Sequence, residues 1–146
     1  METHVTPDFG PLDALPPVVI ACVFILLSSF LREPARQKWN AVFVAGAGAA
    51  YLNGGLGPWE FAFTAVATYF AYRGLDAYRW IGFAWLLHTG WDVVHHFYGR
   101  PIVPFQPTSS AGCAITDALI AVWFFAGAPS AYDVLRRRRG AAPTTG

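Results

Sequence analysis

Five apolar blocks separated by short polar breaks organise this chain. The first runs from Leu15 to Leu31 (LPPVVIACVFILLSSFL) and is long enough to span a bilayer as a helix. Its Pro16-Pro17 suits a first helical turn, where a missing N–H costs nothing. A basic stretch, Arg32 to Lys38, leads to a shorter second block, Trp39 to Leu52, rich in small residues. Ala45/Ala49 and Gly46/Ala50 lie four apart there, a spacing that lets helices approach closely. The breakers from Asn53 to Pro58 predict a tight turn, with Asn53 as a helix C-cap beside Gly54 and Gly55. Pro58 opens a third block reaching about Tyr72, and the fourth covers about Tyr78 to Tyr98. Gly99 to Ser110 is the longest internal loop, with Pro101, Pro104 and Pro107, and Thr108-Ser109-Ser110 offers N-cap residues for the next helix. The fifth block runs from about Ala111 to Ala128, where Pro129 ends or kinks it.

Composition turns these blocks into a fold class. Hydrophobic residues make up 55% of the 146 positions and charged residues only 13%, about half the share of an ordinary soluble domain. The expected fold is all-α: a polytopic integral membrane protein built as a bundle of five transmembrane helices. The division is a leader over 1–14, a transmembrane domain over 15–135 and a basic, disordered tail over 136–146. Five helices exclude a simple three-plus-three inverted repeat.

The placement of charge sets the expected orientation. The leader has no Lys or Arg, the first loop has Arg32, Arg36 and Lys38, and the second has none. The third has Arg73 and Arg79, the fourth only Arg100, and the tail carries Arg136 to Arg139. This alternation predicts an extracytoplasmic N-terminus and a cytoplasmic C-terminus, in a multi-pass protein of the inner (plasma) membrane. The arginine tail reads as a topology determinant in contact with anionic lipid. The acidic leader does not read as a cleaved signal, which needs a positive n-region. Trp39, Trp59, Trp80, Tyr51 and Tyr98 fit interfacial belts. Two cysteines, Cys22 and Cys113, make no disulfide framework, and Cys22 reads as packing in an apolar run. No interleaving of basic and aromatic residues points to nucleic acid.

The fourth block then departs from its own pattern. It carries His88, Asp92 and His95 at i, i+4 and i+7, one stripe of a helix, with His96 adjacent. Ionisable groups at membrane depth are costly, so they are read first as functional. At about 1.5 Å per residue, His95 lies roughly 4–5 Å below the outer end of its helix, Asp92 roughly 9 Å and His88 roughly 15 Å. On the returning helix Asp117 falls roughly 9 Å down, level with Asp92, and Cys113 shares its face. A single histidine there reads as a hydrogen-bonded packing residue. The set of three histidines and two aspartates, under a Pro-rich loop that could act as a lid, reads as a site. His and carboxylate suit a divalent metal such as zinc, which lowers the pKa of a bound water to about 7 and makes it a nucleophile. The predicted metal ligands are His88, Asp92, His95, His96 and Asp117, and the predicted acid–base groups are Asp92, His96 and Glu60. Glu60 also suits the first turn of the third helix as a capping carboxylate. Proton transfer and an organic ligand are the alternatives to metal.

Several segments carry a family likeness: Arg32-Glu33-Pro34-Ala35-Arg36, Phe43 to Leu52, Trp59-Glu60-Phe61-Ala62, Leu87-His88-Thr89-Gly90-Trp91-Asp92 and Pro104 to Ala114. Over about residues 15–135 the chain resembles a bacterial family of small integral membrane proteins catalogued as a domain of unknown function. The resemblance implies membrane location and a single domain, and brings no activity. A weaker likeness, of site chemistry alone, is to membrane hydrolases of the ceramidase and adiponectin-receptor type, which hold zinc with His and Asp on seven helices. The leading expectation is a hydrolase-like enzyme acting on a lipid-like substrate from the extracytoplasmic side. The rivals are a non-enzymatic binding or transport component for protons, metal or a small ligand, and a structural subunit. Expected partners are the lipid bilayer and either a second copy or another membrane protein.

Overall fold

A computed structural model describes residues 7–52 and 54–140. Among them the fold is all-α, with six helices and no strand. They are α1 (Leu15–Ser29), α2 (Ala35–Gly48), α3 (Pro58–Gly74), α4 (Tyr78–Tyr98), α5 (Ser109–Phe125) and α6 (Ala131–Gly140). Short 3-10 turns precede α1 (Pro11–Ala14) and follow α2 (Ala49–Tyr51). Among the described residues, only Pro11–Ser29 is both long and apolar enough to count as a candidate membrane span by composition, with a mean hydropathy of 2.1. The site residues on α4 explain part of this, because three histidines and an aspartate lower the hydropathy of the longest helix in the fold.

The boundaries differ from the sequence expectation where backbone bonds decide them. Helix α2 starts at Ala35 rather than Trp39, because the Arg36 and Lys38 amides donate to the Arg32 and Pro34 carbonyls. Helix α5 starts at Ser109 and stops at Phe125. Its stop is a reversal through Gly127 (φ 83°) and Ala128 (φ 47°), whose amides donate to Phe124 and Trp123. The chain therefore turns before Pro129 is reached. Beyond it, Arg136 to Arg139 are not an extended tail but the last turns of α6. Asn53, expected as a C-cap, lies outside the described residues.

The central element is α4. It packs most extensively on α5, then on α3, with α2 behind, while α1 rests mainly on α5. Its buried stripe is Ile81, Trp85, His88, Asp92 and His95, a 3.5-residue repeat that faces its neighbours throughout. The lower part of that stripe joins Val44, Ala71, Ile120, Ala121 and Phe124 in an apolar core. Gly82 lets the Phe125 ring approach α4 at a distance any side chain would obstruct. The close approach in α2 is made by Ala41, Val44 and Gly48 rather than by the expected pairs, since Gly46, Ala49 and Ala50 are exposed.

The fold exposes large apolar side chains and buries several polar ones beside its apolar core. Leu27, Phe30, Val42, Phe61 and Val122 are each 60% or more exposed. Asn40, Glu60, His88 and Asp92 are 2% exposed or less. Cys22, expected to pack, faces outward with the apolar residues of α1, and both cysteines are free.

Candidate functional site

The site grows from the upper half of α4. One turn of helix separates His88 from Asp92, and slightly less separates Asp92 from His95, so all three enter the interior along one line. Asp92 lies at the centre. Its Oδ1 accepts a hydrogen bond from the Tyr51 hydroxyl at 2.7 Å. Asp117, on α5, lies beside the same carboxyl group. Two carboxyl groups so placed can share a hydrogen bond only when one of them carries a proton. Tyr51, read from sequence as an interfacial residue, is instead buried and belongs to the site. It gets there because the 3-10 turn Ala49–Tyr51 tightens the end of α2 and swings the ring inward over Phe63, at 4.9 Å between centroids.

Below this pair, His88 sits in an aromatic enclosure of Tyr51, Phe63 and Trp85. Its Nδ1 donates to the Ala84 carbonyl at 2.8 Å, which leaves Nε2 as a bare acceptor. That Nε2 faces Gly48, where even a β-carbon would lie 3.7 Å away. Above the pair, His95 is enclosed by the two loops that meet over it. The Arg100 amide donates to the Gly54 carbonyl at 2.6 Å, and the Arg100 carbonyl faces His95 Nδ1 at 3.3 Å. A β-carbon on Gly54 would overlap the His95 ring and come within 3.0 Å of Glu60 Oε1. Glycine at position 54 is thus a packing requirement of the site. Trp91 completes the wall, stacked on Phe63 at 5.0 Å.

Glu60 is buried beside this junction, and its Oε1 accepts the Leu56 amide at 2.9 Å, tying down the turn before α3. That is the capping role expected of it. His96 is half-buried at the mouth, where it lines a cavity of about 270 Å³ with His95, Arg100, Pro107 and Ser110. Cys113 lies one turn from Asp117 and lines a separate cleft of about 270 Å³ between α1, α5 and the Pro-rich loop.

The five residues expected to ligate a metal do not gather at one point. Asp92 and Asp117 meet, while His88 and His95 approach the Asp92 level from opposite sides and His96 turns toward the mouth. Among the described residues, no group of three or more His, Cys, Asp and Glu side chains is placed to hold a metal ion. What the arrangement does provide is a line of enclosed polar atoms with no partner from the described protein: Trp85 Nε1, His88 Nε2, Trp91 Nε1, Asp92 Oδ2, His95 Nε2, His96 Nδ1 and Ser110 Oγ. Six of the seven are on α4, and they span roughly 16 Å of its axis. Buried polar groups are nearly always satisfied, so such a concentration on one helix makes it the candidate site.

The model of the family of unknown function DUF6010 matches residues 12–130. The chain belongs to that family. The match takes in all of α1 to α5, and so every residue of the site just described. No curated protein and no solved structure matches the chain.

Four contributors escaped the sequence reading: Tyr51, Gly54, Phe63 and Trp91. Each has a weak local signal. Tyr51 ends a small-residue helix, and Gly54 follows in a run of breakers. Only the packing of α2 and α3 on α4 shows that these positions converge.

Proposed function

We propose that this DUF6010 protein is an integral membrane protein whose helices α1 to α5 cross the bilayer, with the N-terminus outside and α6 on the cytoplasmic surface. We further propose that it binds protons through the Asp92–Asp117 pair, as a non-enzymatic binding or transport component. Support for the membrane reading comes from the exposed apolar faces, the buried polar groups and the alternation of basic loops. The shortest of the five helices, α2, has 14 residues and is about 21 Å long, a mismatch that a locally thinned bilayer and flanking aromatic residues absorb in this reading.

The observation that carries the proton reading is the joined Asp92–Asp117–Tyr51 cluster amid the unpartnered polar atoms of α4. Two carboxyl groups side by side can hold one proton between them. His95 and His96 line the cavity under the Pro-rich loop, which is the extracytoplasmic side in this topology. On the other side, Ile81, Trp85, Val44 and Phe124 form an apolar plug. In this reading protons reach the pair from the outer side, past His95 and His96, and the apolar core closes the inner side. The metal-dependent hydrolase reading has less support, because the histidines are not grouped with the carboxyls. Glu60 and His96 then serve as a loop tie and a mouth residue rather than as catalytic groups.

Infrared spectroscopy of the protein in proteoliposomes tests this. A carbonyl stretch of a protonated carboxyl is expected to respond to external pH, to shift in D2O and to disappear in Asp117→Asn. Tyr51→Phe, which removes one hydrogen bond from Asp92, should move the band without abolishing it. A band that survives in an Asp92→Asn/Asp117→Asn double variant would overturn the assignment. Stoichiometric zinc lost in the same variant would return the hydrolase reading.

A further inference from the structure

At the opposite end of the molecule, the α1–α2 turn and α6 border an open cavity of about 790 Å³. Its wall carries four arginines, Arg32, Arg36, Arg136 and Arg139, against two carboxylates, Glu33 and Asp133, a net of +2 (4 − 2). Arg36 is held in place: its Nε donates to the Leu31 carbonyl, its NH1 to the Ala128 carbonyl, and it pairs with Glu33 at 3.5 Å. That is the one ion pair among the described residues. Arg32, Arg136 and Arg139 therefore line the cavity with no carboxylate bound to them. They differ in this from Arg73 and Arg79, whose guanidinium groups lie over the Trp80 ring.

The same cavity has an apolar rim. Phe30 and Leu135 line it and are more than half exposed, and Phe30 packs on the Tyr132 ring at 4.9 Å. Phe30 continues the outward apolar face of α1, formed by Ile20 and Leu27. Any group bound among the arginines would thus have an apolar surface running away from it along α1.

We propose that this cavity is a binding site for the phosphate of an anionic phospholipid, the headgroup held by Arg32, Arg136 and Arg139 and the acyl chains laid against Phe30 and α1. Three arginine side chains without carboxylate partners suit a phosphate, which arginine binds through paired N–H donors. The apolar rim favours a lipid phosphate over a free one. The inference rests on the membrane reading above, and it is independent of the proton site. It implies that α6, which continues directly from the α5 reversal, is held at the membrane surface by lipid and not only by its contacts with α1.

Native mass spectrometry of the full chain in detergent, with phosphatidylglycerol, phosphatidylcholine or inorganic phosphate added, tests the site. Phosphatidylglycerol is expected to be retained in preference to phosphatidylcholine, and Arg136→Gln/Arg139→Gln should weaken that retention by roughly tenfold or more. Arg73→Gln/Arg79→Gln, on the two helices that flank the α3–α4 turn, should leave it unchanged. Equal retention of the two lipids, or equal loss in the two double variants, would overturn the site. Saturation by inorganic phosphate alone with no lipid preference would overturn the lipid assignment. An alkaline carbonate wash of membranes separates the two levels: release of the chain would overturn the membrane reading and this proposal together. Retention without lipid preference would overturn this proposal alone.

Discussion

Two buried polar clusters lie at opposite ends of this bundle, and they differ in one respect that matters. At the end where α1, α2 and α5 meet, Ser28 donates to Asn40 at 3.2 Å, and Asn40 donates to the Arg36 carbonyl at 2.8 Å. Ser29 donates to the Ile25 carbonyl and accepts the Ala131 amide, and Arg36 caps two chain reversals at once. At the other end the cluster around Asp92 leaves seven side-chain polar atoms without a partner among the described residues. Similar burial therefore serves two purposes. A polar group whose bonds are all made locks one geometry, and a polar group left with spare donors or acceptors stays available for a proton or ligand. The satisfied cluster is architecture and the unsatisfied one is the candidate site.

The comparison can be broken by substitution. Its strongest test is Arg36→Ala, which strips donors from the Leu31 and Ala128 carbonyls and leaves Ala128 in its left-handed conformation without that support. A loss of roughly 2–4 kcal/mol is expected, read as a lower midpoint of thermal unfolding in detergent. A change within error would mean that this end is not the structural one. Gly54→Ala comes next. Its β-carbon needs space now filled by the His95 ring, so a loss of roughly 1–3 kcal/mol is expected, together with displacement of the loop carrying Arg100. Cross-linking or hydrogen exchange across Gly54 and Arg100 would detect the displacement. The smallest effect is expected from His88→Leu. The Ala84 carbonyl keeps its place in the helix, and an unpartnered Nε2 is replaced by apolar surface inside an aromatic enclosure. Stability should stay within about 0.5 kcal/mol of the parent or rise, as when buried polar groups give way to apolar ones of similar size. A large loss would move His88 from the site to the architecture.

How much of this could be read without the fold varies along the chain. The hydrophobic blocks located α1 and α3 to within about two residues and α4 at both ends, because Pro-, Gly- and Arg-rich breaks punctuate them. Helix α6 was missed, since four consecutive arginines read as a solvated tail when nothing else is known about their surroundings. The stripe on α4 was visible, as spacing alone puts His88, Asp92 and His95 on one face. The level match of Asp92 and Asp117 followed from counting residues inward from a shared loop.

By itself, then, the sequence determined the all-α class, most helix limits and the pair of antiparallel helices that carry the central carboxyl groups. These depend on periodicity, on breakers and on distance along one chain. The tertiary structure decided what surrounds those carboxyl groups. Tyr51 and Gly54 reach the site from the α2–α3 turn, Phe63 reaches it from α3, and the arginine-lined cavity forms where α6 folds back on α1. Such convergences join residues tens of positions apart. They follow from how helices pack on one another, and no local pattern encodes that.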